Sequence, residues 1–336
     1  MSAINWLIDA NSDPAIRWQA LRDLTDAPEH VIAAERARVE AEGWGARLLA
    51  LQGADGQWAG GTYFPALDTD PHGQPWTATA FSLQLLRDFG VDPDTDRLVR
   101  AIALVRESSR WEHARQRFFD GEVEPCINGL AVAIGGYFRQ DVDGIVARLV
   151  AEAMADGGWN CEAENGSVRS SFNSTIVVLE GLWEYERHNG AVPDVAATRI
   201  RAENYLLERH LMRRLSTGEV PDDRWRQFSY PPRWYYDVLR GLDYFRAVGE
   251  EPDARLAEAV SLLESKCDSN GRWPLENTHP GAVHFALEPG DGQPSRWNTL
   301  RALRVLRWYR GEAPVGYEST SFDANRPIAS APNTTM

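Results

Sequence analysis

Apolar positions recur every three to four residues in six stretches, each ending in a bulky residue: 13–24, 75–89, 126–137, 170–185, 233–245 and 295–309. DPAIRWQALRDL and SRWNTLRALRVLRWY open and close this first set. A second set alternates with it at 30–52, 94–108, 141–155, 196–214 and 254–267, with Arg, Glu or Asp on every turn, so one face of each is solvated. No stretch alternates apolar and polar residues long enough for a sheet. The pattern predicts an all-α protein of repeated helix pairs.

The connections are unequal. Passing from the first set to the second takes a few residues, as in GVDPD (90–94), whereas the returns at 53–75, 109–125, 156–170, 215–232 and 268–295 are long and aromatic. Three returns begin alike, with Asp55-Gly-Gln-Trp58, Asp156-Gly-Gly-Trp159 and Ser269-Asn-Gly-Arg-Trp273. A Gly after Asp or Asn ends a helix in a left-handed cap, and the Trp then folds back between layers. Helix pairs with this asymmetry suggest a closed (α/α)6 toroid, with apolar helices inside, charged helices outside and all long loops at one mouth. Long loops on one rim of a rigid scaffold are where sites are built.

Composition narrows the field. The chain has 336 residues and a net charge of −14, which argues against nucleic-acid or anionic-membrane binding. No run approaches the about 18 apolar residues of a membrane span, and MSAINWLIDANSDP lacks signal-peptide order, so the expected location is cytoplasmic. Three cysteines make no disulfide framework, and thirteen tryptophans are unusually many. One domain is expected over 1–311, followed by a Ser-, Thr- and Pro-rich tail at 312–336, flexible or strapped to the surface.

DGQW (55–58), WTATAFSLQLLRDFG (76–90), DGGWNC (156–161), SSFNSTIVVLEGL (170–182), GRWPLE (271–276) and PSRWNTLRALRVLRW (294–308) together resemble the α/α-toroid superfamily of terpenoid cyclases and protein prenyltransferases. The likeness spans roughly 13–310 and implies an enzyme acting on an isoprenoid or other apolar molecule in a central aromatic-lined cavity. The chain departs from the catalytic motifs of that superfamily. It has no Asp-x-Asp-Asp acid and no Asp-Asp-x-x-Asp magnesium motif; Asp68-Thr-Asp70 falls in a loop and Asp222-Asp223 has the wrong order. It also lacks the Asp-x-Cys string of the zinc prenyltransferases.

Several residues remain as candidates. Asp237, read as one turn into a first-set helix among aromatics, is the candidate acid, with Glu276 and Glu288 behind it; the plainer reading is an Asp bonded to Arg233 or Arg240. Cys126, Cys161 and His284, the last preferred to His72 and His279, are candidate zinc ligands like the Cys, Cys and His of toroidal lanthionine-forming cyclases, and buried apolar thiols are the alternative. Cys267 lies away from that rim. Tyr63, Phe64, Trp76, Phe172, Trp234, Tyr235 and Trp297 are candidates for the cavity wall. Arg169, Arg224, Arg226, Arg233 and Arg296 precede first-set helices, where they would hold an anionic head or pair with Asp222, Asp223 and Glu219. Beside the isoprenoid enzyme stand a zinc-dependent toroid enzyme and a non-catalytic ligand- or peptide-binding scaffold.

Overall fold

The structure is a computed structural model and describes residues 2–67 and 74–317; Asp68, Asp70, His72 and the tail beyond 317 lie outside the described residues. The chain is mostly helical, as the periodicity predicts. The first set is α2 (Pro14–Leu24), α5 (Thr79–Phe89), α7 (Pro125–Tyr137), α9 (Phe172–Asn189), α11 (Val238–Val248) and α13 (Arg296–Arg310). The second set is α3 (Glu29–Ala37) with α4 (Gly43–Leu49), then α6 (Asp96–Ser108), α8 (Asp143–Ala151), α10 (Pro193–Leu207) and α12 (Ala257–Ser265). A short α1 (Ala3–Leu7) precedes them, and β1 (Trp273–Pro274) pairs antiparallel with β2 (Pro294–Ser295) in the last return.

The two sets differ in burial as their composition requires. α5 and α7 bury nearly every residue, whereas α6 buries one stripe, Leu98, Ala101, Ile102 and Val105, and leaves its charged face in solvent. Within the first set α5 packs on α7, α7 on α9, α9 on α11, α11 on α13, and α13 on α2. Side chains of α2 complete the succession: Trp18 Nε1 and Gln19 Nε2 donate to the last carbonyls of α5, at Phe89 and Asp88.

The three Trp motifs are one construction used three times. The second-set helices end in right-handed geometry at Ala50, Glu152 and Lys266, not in the expected left-handed glycine cap; Gly56, Gly157 and Gly271 adopt positive φ several residues later, in the tight turn that leads into each Trp. Trp58, Trp159 and Trp273 then turn inward, almost fully buried, and donate their indole N–H to Leu48, Leu149 and Leu263 O at 2.7–2.8 Å. Their own backbone N–H groups donate to Thr79, Thr175 and Thr299 Oγ1 in the first turn of the next first-set helix. Each motif therefore ties one second-set helix to the following first-set helix.

Two helix boundaries need correction. The helix expected over 30–52 is broken near Gly43, whose φ of 63° and close approach to the Asp13 carboxylate admit no side chain. Asp13 accepts from Ala15 N and from Trp44 N, so one carboxylate serves the starts of both α2 and α4. The helix expected from 233 begins at Val238, because Pro231, Pro232 and an Arg233 with φ of 57° hold the preceding chain out of helical geometry. Past α13 the chain runs beside 24–26: Val315 N donates to Leu24 O, and Val315 O accepts from Asp26 N.

Candidate functional site

The N-terminal ends of α7 and α9 lie side by side because glycines let the helices touch. A Cβ on Gly129 would sit 2.8 Å from the Val178 backbone, and one on Gly181 2.4 Å from Gly129 O. This packing brings Cys126, in the first turn of α7, against the return that precedes α9. Asn160 shapes that return, accepting from Glu162 N and donating to Arg169 O, while Cys161 N donates to Ser174 Oγ. The result is a pair of half-buried free thiols with Sγ atoms 2.7 Å apart.

Glu124 joins them, its Oε2 3.5 Å from Cys126 Sγ, and the three ligand atoms lie within 4.8 Å of one another. Among the described residues this is the one cluster of three such groups close enough to share a metal ion. The hydrogen bond shared with Cys126, aided by the Ser174 hydroxyl, holds the Cys161 thiol below its ordinary pKa. The same bond, together with burial and the Glu124 charge, pushes the Cys126 thiol up. Cys161 is thus the first of the pair to become a thiolate.

The thiols line a pocket of about 600 Å³ built by the return loops. Tyr63, Phe64, Trp111 and Trp234 form its aromatic wall, and Glu112, Glu122, Glu124 and Glu162 give it carboxylates. It has no Lys or Arg among its lining residues. Glu112 holds one wall in place by accepting from the backbone N–H groups of Thr62, Tyr63 and Phe64. Trp234 is fixed by its indole N–H to Gln74 Oε1 at 3.0 Å.

The sequence candidates divide sharply around this pocket. Cys126, Cys161, Tyr63, Phe64 and Trp234 meet in it. His284 is outside the thiol cluster, 2.9 Å from Ser82 Oγ, and His279 stacks on Tyr235 at 4.0 Å; burial lowers the pKa of both, His279 to about 4. Phe172 packs among Trp225, Tyr236 and Tyr205, and Trp76 against Phe81. Cys267 is exposed at the end of α12. Glu124 and Trp111 were not singled out by sequence reasoning; only the packing of α7 on α9 and of the returns on one another assembles them.

Asp237 stands at the helix N-cap rather than one turn into the helix. It is 1% exposed; Oδ1 accepts from Arg240 N at 2.8 Å, and Oδ2 accepts from Ser229 N and Ser229 Oγ. Glu288 caps α13 in a similar way through Trp297 N and Ser295 Oγ, and Glu276 binds Phe228 N and Lys266. Of the candidate arginines, Arg224 pairs with Asp222 at 2.6 Å and Arg226 with Asp223. Arg233 is buried over the Trp76 ring, and burial lowers its pKa to about 10. Arg296 lies over Trp6 at 4.7 Å.

Trp297 faces a different cavity. It has about 570 Å³ and is lined by all six first-set helices, mainly toward their C-terminal ends. Six aromatic residues line it, Trp18, Tyr137, Trp183, Tyr230, Tyr244 and Trp297, as expected of a cavity among the first-set helices, but it is not apolar. It also carries eight arginines and five carboxylates, and Asp237 is not among its lining residues.

No protein-family model matches the chain, and comparison with curated proteins gives no match. Among solved structures, a protein from Actinoplanes is similar at a TM-score of 0.44 and 15% identity, over 88% of this chain and 90% of that one.

Proposed function

We propose that this chain is an (α/α)6 toroid of the terpenoid-cyclase and prenyltransferase kind, and an enzyme that binds a small molecule in the thiol pocket with zinc held by Cys126, Cys161 and Glu124. The succession of first-set contacts from α5 through α13 and back to α2 supports the toroid. The observation that carries the function is the convergence of two cysteines 35 positions apart, with a carboxylate, on an aromatic pocket.

The donor set fits the ion. Two thiolates and one carboxylate suit a borderline-soft cation and leave one of four tetrahedral positions for water or substrate. Two sulfurs on tetrahedral zinc stand about 3.7 Å apart, so the pair would spread by about 1 Å from its 2.7 Å separation. Bound there, zinc supplies Lewis acidity and lowers the pKa of a coordinated water or thiol. Ser174 donates toward Cys161 and orients it, Glu124 adds negative charge, and Tyr63, Trp111 and Trp234 hold an apolar body. Four carboxylates and no Lys or Arg select against an anionic head, so the substrate class is a neutral or cationic apolar molecule, an isoprenoid alcohol or thiol rather than a diphosphate. Asp237 has no acid role in this reading, because both its oxygens are engaged in capping.

Elemental mass spectrometry of untagged protein tests the proposal. About one zinc per chain, lost in Cys126→Ala/Cys161→Ala with folding retained, is expected. Metal-free protein after growth in zinc-replete medium overturns it; faster alkylation of Cys161 than of Cys267 in such protein would identify a thiolate nucleophile instead.

A further inference from the structure

We propose that the cavity lined by the six first-set helices is a second ligand site, separate from the thiol pocket, that binds a small multivalent oxyanion bearing phosphate or carboxylate groups. Three positive charges in excess are concentrated there, on a protein whose net charge is −14. The ion pairs account for the carboxylates: Asp23 with Arg22 and Arg304, Asp88 with Arg87, Glu180 with Arg240, Glu184 with Arg187, and Asp243 with Arg246 and Arg301. Arg36 has no carboxylate in this set and instead donates to Gly90 O and Val91 O at the end of α5, so part of the excess answers helix carbonyls.

The second observation is independent of charge. Tyr230, Trp297 and Arg304 line the cavity and are at most 7% exposed, yet Tyr230 OH, Trp297 Nε1 and Arg304 Nε have no hydrogen-bond partner among the described residues. Among the lining residues Gln84 Oε1 is the one unpartnered acceptor against these three donors. Such atoms are costly unless paired, so three of them on residues that line one cavity call for acceptors there. Trp297 also stacks on Tyr230 at 4.4 Å and 12°, which fixes both groups. Donors, surplus arginine charge and a volume of metabolite size together define an oxyanion site.

Calorimetric titration of the full-length protein with inorganic pyrophosphate and with citrate tests this, against sodium chloride at matched ionic strength. Because both probes chelate metals, the titrations are repeated in Cys126→Ala/Cys161→Ala. One saturable site per chain is expected in both backgrounds, weakened about tenfold by Tyr230→Phe and by Trp297→Phe. Each variant removes an unpartnered group and keeps the stacked rings, so each should melt within a few degrees of the parent. Binding of pyrophosphate alone assigns a phosphate ligand, of citrate alone a carboxylate ligand, and of both the shared oxyanion chemistry. No saturable binding beyond the chloride control, or parental affinity in both variants, overturns the proposal.

Discussion

The two cavities are close in volume, about 600 and 570 Å³, and opposite in chemistry. The first is made by return loops at the helix N-termini and holds thiols, aromatics and four carboxylates. The second is made by the helices themselves toward their C-termini and holds eight arginines. Each sign opposes the local helix dipole: acids gather where backbone N–H groups point outward, and arginines where carbonyls do. Loops can present unpaired side chains to a ligand at little cost. A cavity walled by packed helices must instead pair its acids: neighbouring arginines hold the pKa values of Asp23, Glu180 and Asp243 down against the opposing effect of burial, while burial prevails at Asp88 and raises it.

The largest test of that contrast is Arg240→Met. Arg240 is 2% exposed and holds Glu180 through two hydrogen bonds of 2.7 Å. Its loss leaves the half-buried Glu180 without this partner and the Arg233 and Tyr235 carbonyls without their donor, and urea unfolding should show about 3 kcal/mol of destabilisation. Cys126→Ala, in the loop-built pocket, should cost about 1 kcal/mol or less. Equal costs would erase the distinction between an ion-paired interior and a presented site.

Asp237→Asn comes next. An amide can still accept from Arg240 N but meets Ser229 N with a donor, so stability should fall by about 1–2 kcal/mol while zinc content stays unchanged. Unaltered stability would show that the capping bonds of Asp237 contribute little to the fold.

The remaining test is in pH. His279 is neutral because burial depresses its pKa from 6.5 to about 4. The unfolded chain therefore binds its proton first, and the stability this neutral ring contributes is complete above pH 6.5 and is lost as pH falls from there to about 4. Asp13, raised by burial to about 6, works in the opposite sense, with stability gained as pH falls from about 6 toward 3.8. Comparing wild type with His279→Gln isolates the histidine: the gap should narrow between pH 7 and 4.5. Asp23, Glu180 and Asp243 of the arginine cavity, held below the ordinary carboxylate range by their arginines, should lose their contribution only at lower pH. A constant gap from pH 7 to 4.5 would remove His279 from the acid response.

The sequence alone determined the alternation of apolar and charged helices, because burial on every face or on one stripe is written in the period of hydrophobic residues. It also determined the three Trp returns, since an Asp- or Asn-led Gly and a buried indole each act within a few residues or one helix length. Cys126 and Cys161 were legible as thiols on one rim, but their partner was not: Glu124 rather than His284 stands beside them because α7 and α9 touch at Gly129 and Gly181. Likewise Arg87, Arg240, Arg301 and Arg304 read separately as ordinary charges on amphipathic helices. Only the tertiary structure, by turning those faces toward one space, made them the wall of a cavity; periodicity says which face of a helix is buried and never which other faces it meets.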